Sequence, residues 1–120
     1  METTLYTKFG HPVMYISPQH GYAIYNWNGH ALSYLVDDAI YGWRGRHLGW
    51  FINGIVYDLN GYRVGYTKDT CPYAVYMEYV KYAKYAQYAK YARFAPYARP
   101  ALSWSDSPED LESFLSKDKV

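Results

Sequence analysis

Ile40-Tyr41-Gly42-Trp43-Arg44-Gly45-Arg46-His47-Leu48-Gly49-Trp50 is one copy of a pattern that occurs four times between Tyr6 and Thr67. The shared spacing is Tyr-x-x-x-Gly-x-x-[Val/Leu]-x-[Tyr/Trp]. Its glycines are Gly10, Gly29, Gly45 and Gly61, separated by 19, 16 and 16 residues. Four residues ahead of them stand Tyr6, Tyr25, Tyr41 and Tyr57. Three residues behind stand Val13, Leu32, Leu48 and Val64, and five behind stand Tyr15, Tyr34, Trp50 and Tyr66. Each leading tyrosine follows an apolar residue: Leu5, Ile24, Ile40 or Val56. Self-similarity at a fixed period constrains the architecture before any local assignment is made.

Each copy reads as a β-hairpin. Aromatic and β-branched residues alternate with polar ones, the period of a half-buried strand. The glycines supply the positive φ of tight turns, and Asn28-Gly29 and Asn60-Gly61 are strong short hairpin signals. Asp37-Asp38 and Asn53-Gly54 supply turns between copies, and the loop around Ser17-Pro18-Gln19-His20-Gly21 accounts for the longer first spacing. One such hairpin is only marginally stable in water. Four can bury their aromatic faces together around a pseudo-fourfold axis, with Tyr6, Tyr25, Tyr41, Tyr57, Val13, Leu32, Leu48, Val64 and Trp50 as the repeat core. Residues 1–70 are therefore expected to be one cooperative β domain.

A second repeat follows. From Tyr73 to Tyr97 an aromatic residue stands at every third position, in units such as Tyr82-Ala83-Lys84, Tyr85-Ala86-Gln87 and Tyr88-Ala89-Lys90. Alanine, lysine and arginine favour a helix, but a three-residue repeat slips about 60° per unit around one. Alternating sides defeats a strand equally. A polyproline II chain, with about three residues per turn and a rise of about 3.1 Å, puts the rings on one edge and the charges on another. The expectation for residues 71–101 is this three-sided rod, roughly 80 Å long, with α-helix and disorder as the alternatives. Its interaction residues are Tyr82, Tyr85, Tyr88, Tyr91, Phe94 and Tyr97 with Lys81, Lys84, Lys90, Arg93 and Arg99. Its aromatic edge is expected to be buried in the native assembly, on the hairpin domain of its own chain or a neighbour.

Residues 102–120 close the chain. Ser107-Pro108-Glu109-Asp110 reads as an N-cap with proline at the first helical position, and Leu111, Phe114 and Leu115 form an apolar stripe. A short helix over 108–116 is expected.

The hairpin repeat, Gly45-Arg46-His47-Leu48-Gly49-Trp50-Phe51, the basic triplet tail and the closing Leu102-Ser103-Trp104-Ser105 together resemble the four-fold beta flower family of small bacterial proteins. The resemblance spans residues 5–105. It implies four hairpins set like petals and no catalytic residues, since the family has no established activity. The Tyr-Ala-Lys triplets depart from relatives whose triplets are rich in Pro, Val, Lys and Arg.

Charge is uneven although the net value is +1. Residues 1–72 carry five acids and five bases, residues 73–100 five bases against Glu78, and residues 101–120 five acids and two lysines. A basic stretch before an acidic end suggests contact with a partner or between chains. The one cysteine, Cys71, has no partner for an internal disulfide. Met1-Glu2-Thr3-Thr4 lacks the basic and apolar regions of a signal peptide, and no window approaches the roughly 20 apolar residues of a membrane span. The expected location is cytoplasmic, with signal-independent export still compatible.

Candidate chemistry is sparse. His11, His30 and His47 follow turn glycines, but no carboxylate or cysteine joins them at ligand spacing. Ser103, Ser105 and Ser107 have no His or acid at a recognisable spacing. No catalytic residue, metal or cofactor is implied. Trp27 and Trp43 are candidates for exposed stacking rings. The expected function is a non-enzymatic structural or interaction module, forming homo-oligomers or docking a protein partner through its tail. Nucleic-acid or polyanion binding by the Tyr/Lys/Arg tail is the alternative. Five bases over about 80 Å make it the less favoured one.

Overall fold

The computed structural model describes residues 1–120. Eight strands form the repeat region: β1 (Thr3–Tyr6), β2 (Pro12–Ser17), β3 (Ala23–Tyr25), β4 (Ala31–Val36), β5 (Ala39–Gly42), β6 (His47–Ile52), β7 (Ile55–Asp58) and β8 (Arg63–Tyr66). Each pairs antiparallel with its neighbours in chain order, and the sheet closes into a barrel. The closing seam is thin, because β1 and β8 share only the pair Tyr6↔Tyr66.

The four hairpins share one turn. In each, the glycine N–H donates to the carbonyl three residues back: Gly10 to Thr7, Gly29 to Asn26, Gly45 to Gly42 and Gly61 to Asp58, at 3.0–3.1 Å. Positive φ falls on the glycine alone, not on Asn28 or Asn60. The turn is therefore a type I turn followed by a glycine bulge rather than the two-residue form that Asn-Gly suggests. Asn53-Gly54, between β6 and β7, does have positive φ at both residues (50° and 79°).

One further irregularity recurs. Leu5 pairs with Met14 but Tyr6 with Pro12, so Val13 has no partner across the ladder. The same skip leaves out Leu32, Leu48 and Val64. These are the apolar residues three places after each glycine. A bulge bends its strand and raises its twist, and it also breaks the simple alternation of sides. Leu48 and Val64 join the interior cluster and Val13 and Leu32, half-buried, pack against it.

The repeat core therefore divides into two layers. Leu5, Ile24, Ile40 and Val56 line the interior, all fully buried. The tyrosines beside them, Tyr6, Tyr25, Tyr41 and Tyr57, fall on the other face of the sheet, as do Tyr15, Tyr34, Trp50 and Tyr66. They are also buried, at 5% exposure or less, because something covers the barrel from outside.

The interior is completed by the end of the chain. A helix α1 (Leu111–Leu115) contributes Leu111, Phe114 and Leu115 to the same cluster as the strand residues. Four places after the turn glycine the hairpins carry Met14, Ser33, Gly49 and Gly65. A Cβ on Gly49 would meet the Tyr57 carbonyl oxygen and lie 2.8 Å from the Phe114 ring, and one on Gly65 would lie 2.6 Å from Leu111. Missing side chains in the third and fourth hairpins make the space the helix fills.

The helix is shorter than the sequence suggests and begins three residues later. Its N-cap is Asp110, whose carboxylate accepts the Ser113 N–H at 3.0 Å. Ser107 and Pro108 precede it because the chain there is held extended. Arg63 and Asp106 form a parallel bridge, and the Ser107 N–H donates to the Arg63 carbonyl at 2.7 Å.

Candidate interaction surface

What covers the outer tyrosines is the triplet tail. Residues 74–103 lie in neither helix nor strand, and they do not project as an 80 Å rod. The whole molecule measures 36 × 35 × 22 Å, so the tail must curl, and its hydrogen bonds show around what. The N–H of Tyr76 donates to the carbonyl of Gly10, that of Tyr85 to Gly29, that of Phe94 to Gly45 and that of Ser103 to Gly61, each at 2.9 Å. The tail advances nine residues, three triplets, for every hairpin. The glycines are spaced 19, 16 and 16 in sequence, yet the belt spacing is constant, because the extra residues of the first interval sit in the 3-10 turn Pro18–His20 between hairpins.

A second set of bonds has the same period. Tyr82 and Tyr91 donate to the carbonyls of Trp27 and Trp43, both at 3.0 Å. Nine residues further on stands Pro100, which has no N–H to give. The turn glycines are thus required twice over. Their φ values are 83–96°, and a Cβ on any of them would sit 2.1–2.5 Å from the carbonyl oxygen of Ala74, Ala83, Ala92 or Ala101.

Within one chain the belt does not lay its aromatic edge on the barrel. Its aromatic edge looks outward: the nine rings from Tyr73 to Tyr97 remain 50–69% exposed. Its basic residues reach across the barrel's tyrosines, although Lys81, Lys90, Arg93 and Arg99 themselves stay exposed. Lys81 and Lys84 Nζ lie 4.7 and 5.3 Å from the Tyr15 ring centre, Lys90 4.3 Å from Tyr34, and the Arg93 guanidinium 5.7 Å from Tyr41. A cation is drawn to the face of an aromatic ring, while its stem covers apolar surface. Gln87, in the same register, donates to the Tyr25 hydroxyl at 2.8 Å and to the His20 carbonyl at 2.9 Å.

Two acids from outside the belt partner these bases, and Glu78 within it lies 3.5 Å from Lys81. Glu2 accepts from Lys84 at 2.9 Å, Lys81 at 3.2 Å and Ser17 at 3.1 Å. Burial opposes its ionisation, but these donors outweigh it and hold the carboxyl at about 2. Asp38 pairs with Arg99 at 3.2 Å.

The remaining candidates are committed to the belt. His11 and His30 stack on Tyr76 and Tyr85 at 4.8 and 4.4 Å, nine residues apart on the tail, and His47 stacks on Tyr97. No three ligating side chains gather in one place. Trp43 is not an exposed stacking ring. It is 1% exposed, and its Nε1 donates to the Tyr88 carbonyl at 2.8 Å. Trp27 is half-buried against Tyr15 and Tyr79. Leu102-Ser103-Trp104-Ser105 crosses the fourth hairpin. There Arg63 donates to Ser103 O through Nε and to Ser105 O through its backbone, with its guanidinium 4.1 Å from the Trp104 ring centre.

Four hairpins of one design are thus bound by one tail in equal steps. The pattern described as 4-fold beta flower protein matches residues 3–115. The chain belongs to that family. No curated protein and no solved structure matches it.

The flower's belt ends where it begins. Tyr73 packs at a tilt against Phe9, ring centres 5.5 Å apart, and the Cys71 thiol reaches the Thr7 carbonyl at 3.4 Å. After the full circuit, Asp106 returns to the same turn, accepting from Lys8 at 2.6 Å and from the Tyr66 hydroxyl at 2.8 Å. It so bridges the thin β1–β8 seam. The Lys8 ammonium, with the Tyr66 hydroxyl, holds the Asp106 carboxyl below its ordinary value, and burial pushes Tyr66 up. Replacing Asp106 by Ala should cost about 1–3 kcal/mol, mainly through the buried Tyr66 hydroxyl left without its acceptor. Urea melts will measure it. Because the folded pKa is depressed, the contribution is complete above about pH 4 and is lost as pH falls further. A melt unchanged by Asp106→Ala would show that the seam needs no clasp.

Proposed function

We propose that the protein is a non-enzymatic structural module that self-associates through the aromatic edge of its belt. One observation carries this reading: nine outward rings at 50–69% exposure, on an edge from which the lysines and arginines have turned away. Exposed apolar surface beyond a few hundred Å² marks an interaction site. Nine tyrosine-sized rings of about 200 Å² each, more than half exposed, offer about 1,000 Å², more than one side of a standard interface needs. Met77 and Val80, also exposed, extend the patch. Two such edges can meet without like charges facing each other, which favours a second copy as the partner.

In this reading the petals stand around a pseudo-fourfold axis and the belt is polyproline II-like. Thirty-six residues at about 3.1 Å each trace about 110 Å, the rim of a disc about 35 Å across. The molecule's long extents are 36 and 35 Å. Polyanion binding loses ground by the same geometry, since Lys81 and Lys84 are engaged by Glu2 and Arg99 by Asp38.

Two triple variants test the assignment of edges. Changing Tyr82, Tyr85 and Tyr88 to Ser should lower the oligomeric mass seen by light scattering while the belt stays on the barrel. Changing Lys84, Gln87 and Lys90 to Ser should release the belt to protease. If the aromatic variant assembles like the parent, self-association does not use this edge. Tight binding of single-stranded DNA near physiological salt would instead favour the polyanion reading.

A further inference from the structure

His47 is the one histidine sealed inside the molecule, 3% exposed, and both of its ring nitrogens are committed. The Tyr97 N–H donates to Nδ1 at 2.9 Å, so Nδ1 must carry a lone pair. The proton then sits on Nε2, which donates to the Gly49 carbonyl at 2.9 Å. Only the neutral imidazole in this tautomer makes both bonds. The bond to Tyr97 matters because it joins the belt to the third hairpin by a side chain rather than by a glycine carbonyl, just beyond Phe94.

We propose that His47 is a pH-sensitive latch: a second proton on the imidazole removes the acceptor for Tyr97 and frees the belt between Phe94 and Arg99 from the third hairpin. The surroundings of the ring are hostile to charge. Tyr41 of β5 stacks at 5.2 Å, Trp50 of β6 meets it edge-on at 4.7 Å, and Tyr97 of the belt covers it at 5.8 Å. Leu59, Phe94 and Ala95 line the small cavity of about 280 Å³ beside it, with Arg46 as the charge of its own loop. From the belt come two more cations, Arg93 over Tyr41 and Arg99. The acid on this side is Asp38 in the β4–β5 turn, already paired with Arg99.

Burial lowers the His47 pKa, against the pull of the Gly49 carbonyl and Asp38. A depressed folded pKa means the latch is fully closed above the unfolded value of about 6.5 and opens as pH falls through the folded one. His11, His20 and His30 lie nearer the surface, and none has its nitrogen on a belt N–H.

Amide exchange by NMR reads the latch residue by residue. Between about pH 7.5 and pH 5, the Tyr97 protection factor should fall by about tenfold. Tyr85, bonded to the Gly29 carbonyl, should keep its protection. In His47→Gln, which carries no titrating group there, Tyr97 protection should not change over the range. The nitrogen shifts of the wild-type ring should report the Nε2–H tautomer at the high end and titrate together with the Tyr97 amide. That last measurement stands whether or not the variant folds. An Nδ1–H tautomer, Tyr97 protection that holds to pH 5, or the same transition in His47→Gln would overturn the proposal. None of these outcomes depends on whether the belt self-associates.

Discussion

Gly45→Val should lower the melting temperature by about 10 °C or more, the largest effect of any single change on the surface of the hairpins. Two costs combine. A β-branched residue held at φ +96° is strained by about 1–2 kcal/mol. Its Cβ would also start 2.2 Å from the Ala92 carbonyl oxygen, which is backbone and cannot swing aside. The belt must lift, losing the bond from Phe94 to Gly45 and the cover over Tyr41. Together these reach about 3 kcal/mol, a large part of the stability of a small domain. Gly21→Val separates the two costs. Gly21 has φ +69°, but the nearest atom to its Cβ is the flexible end of Lys90 at 3.7 Å. Calorimetry of both variants should show the Gly45 change to be clearly the worse. Equal losses would mean that strain alone acts and that the belt does not bear on the turn.

Phe114→Ala should cost about 3–5 kcal/mol, the usual range for a fully buried aromatic ring. Phe114 is 0% exposed and shares the barrel interior with Leu111 and Leu115. A five-residue helix has no stability of its own, so what holds it is this packing. The barrel in turn depends on it, because the ring reaches the interior at Gly49, where it and the Tyr57 carbonyl together leave no room for a side chain. Loss of the ring opens a cavity and weakens the anchor at once. Chemical denaturation will measure the change. A loss below about 1 kcal/mol would mean that the helix rests on the barrel without completing its core.

The hairpins were legible in the sequence because a turn glycine, an apolar bulge residue and flanking aromatics recur at fixed offsets. Local backbone chemistry dictates each of these. The bulge itself was hidden. Val13, Leu32, Leu48 and Val64 read as ordinary strand positions, and only the register of pairing reveals that they are skipped and turned inward.

The tail's three-residue period was equally visible, and it argued against a regular helix or strand without removing the helix as an alternative. Its nine-residue step was not. Ala74, Ala83, Ala92 and Ala101 meet the four glycines, but alanine fills the middle of almost every triplet, so nothing marks these four. Which edge of the tail faces its own barrel is not legible in the sequence, for a physical reason. Burial of an apolar edge is the sound expectation when the surface beneath is apolar. Here the barrel already presents tyrosine faces outward, and such a wall accepts ammonium and guanidinium groups over its rings.

The sequence by itself determined the elements: four hairpins, their turns, a tail that repeats every third residue and a short amphipathic helix near the end. These follow from local conformational preference and from spacing along the chain. The tertiary structure alone decided that the strands close, that the helix occupies the space left by Gly49 and Gly65, that the tail becomes a belt, and which of its edges meets water. Each of those depends on groups far apart in sequence competing for the same space, Ala92 against Gly45 or Phe114 against Gly49, and no local pattern records that competition.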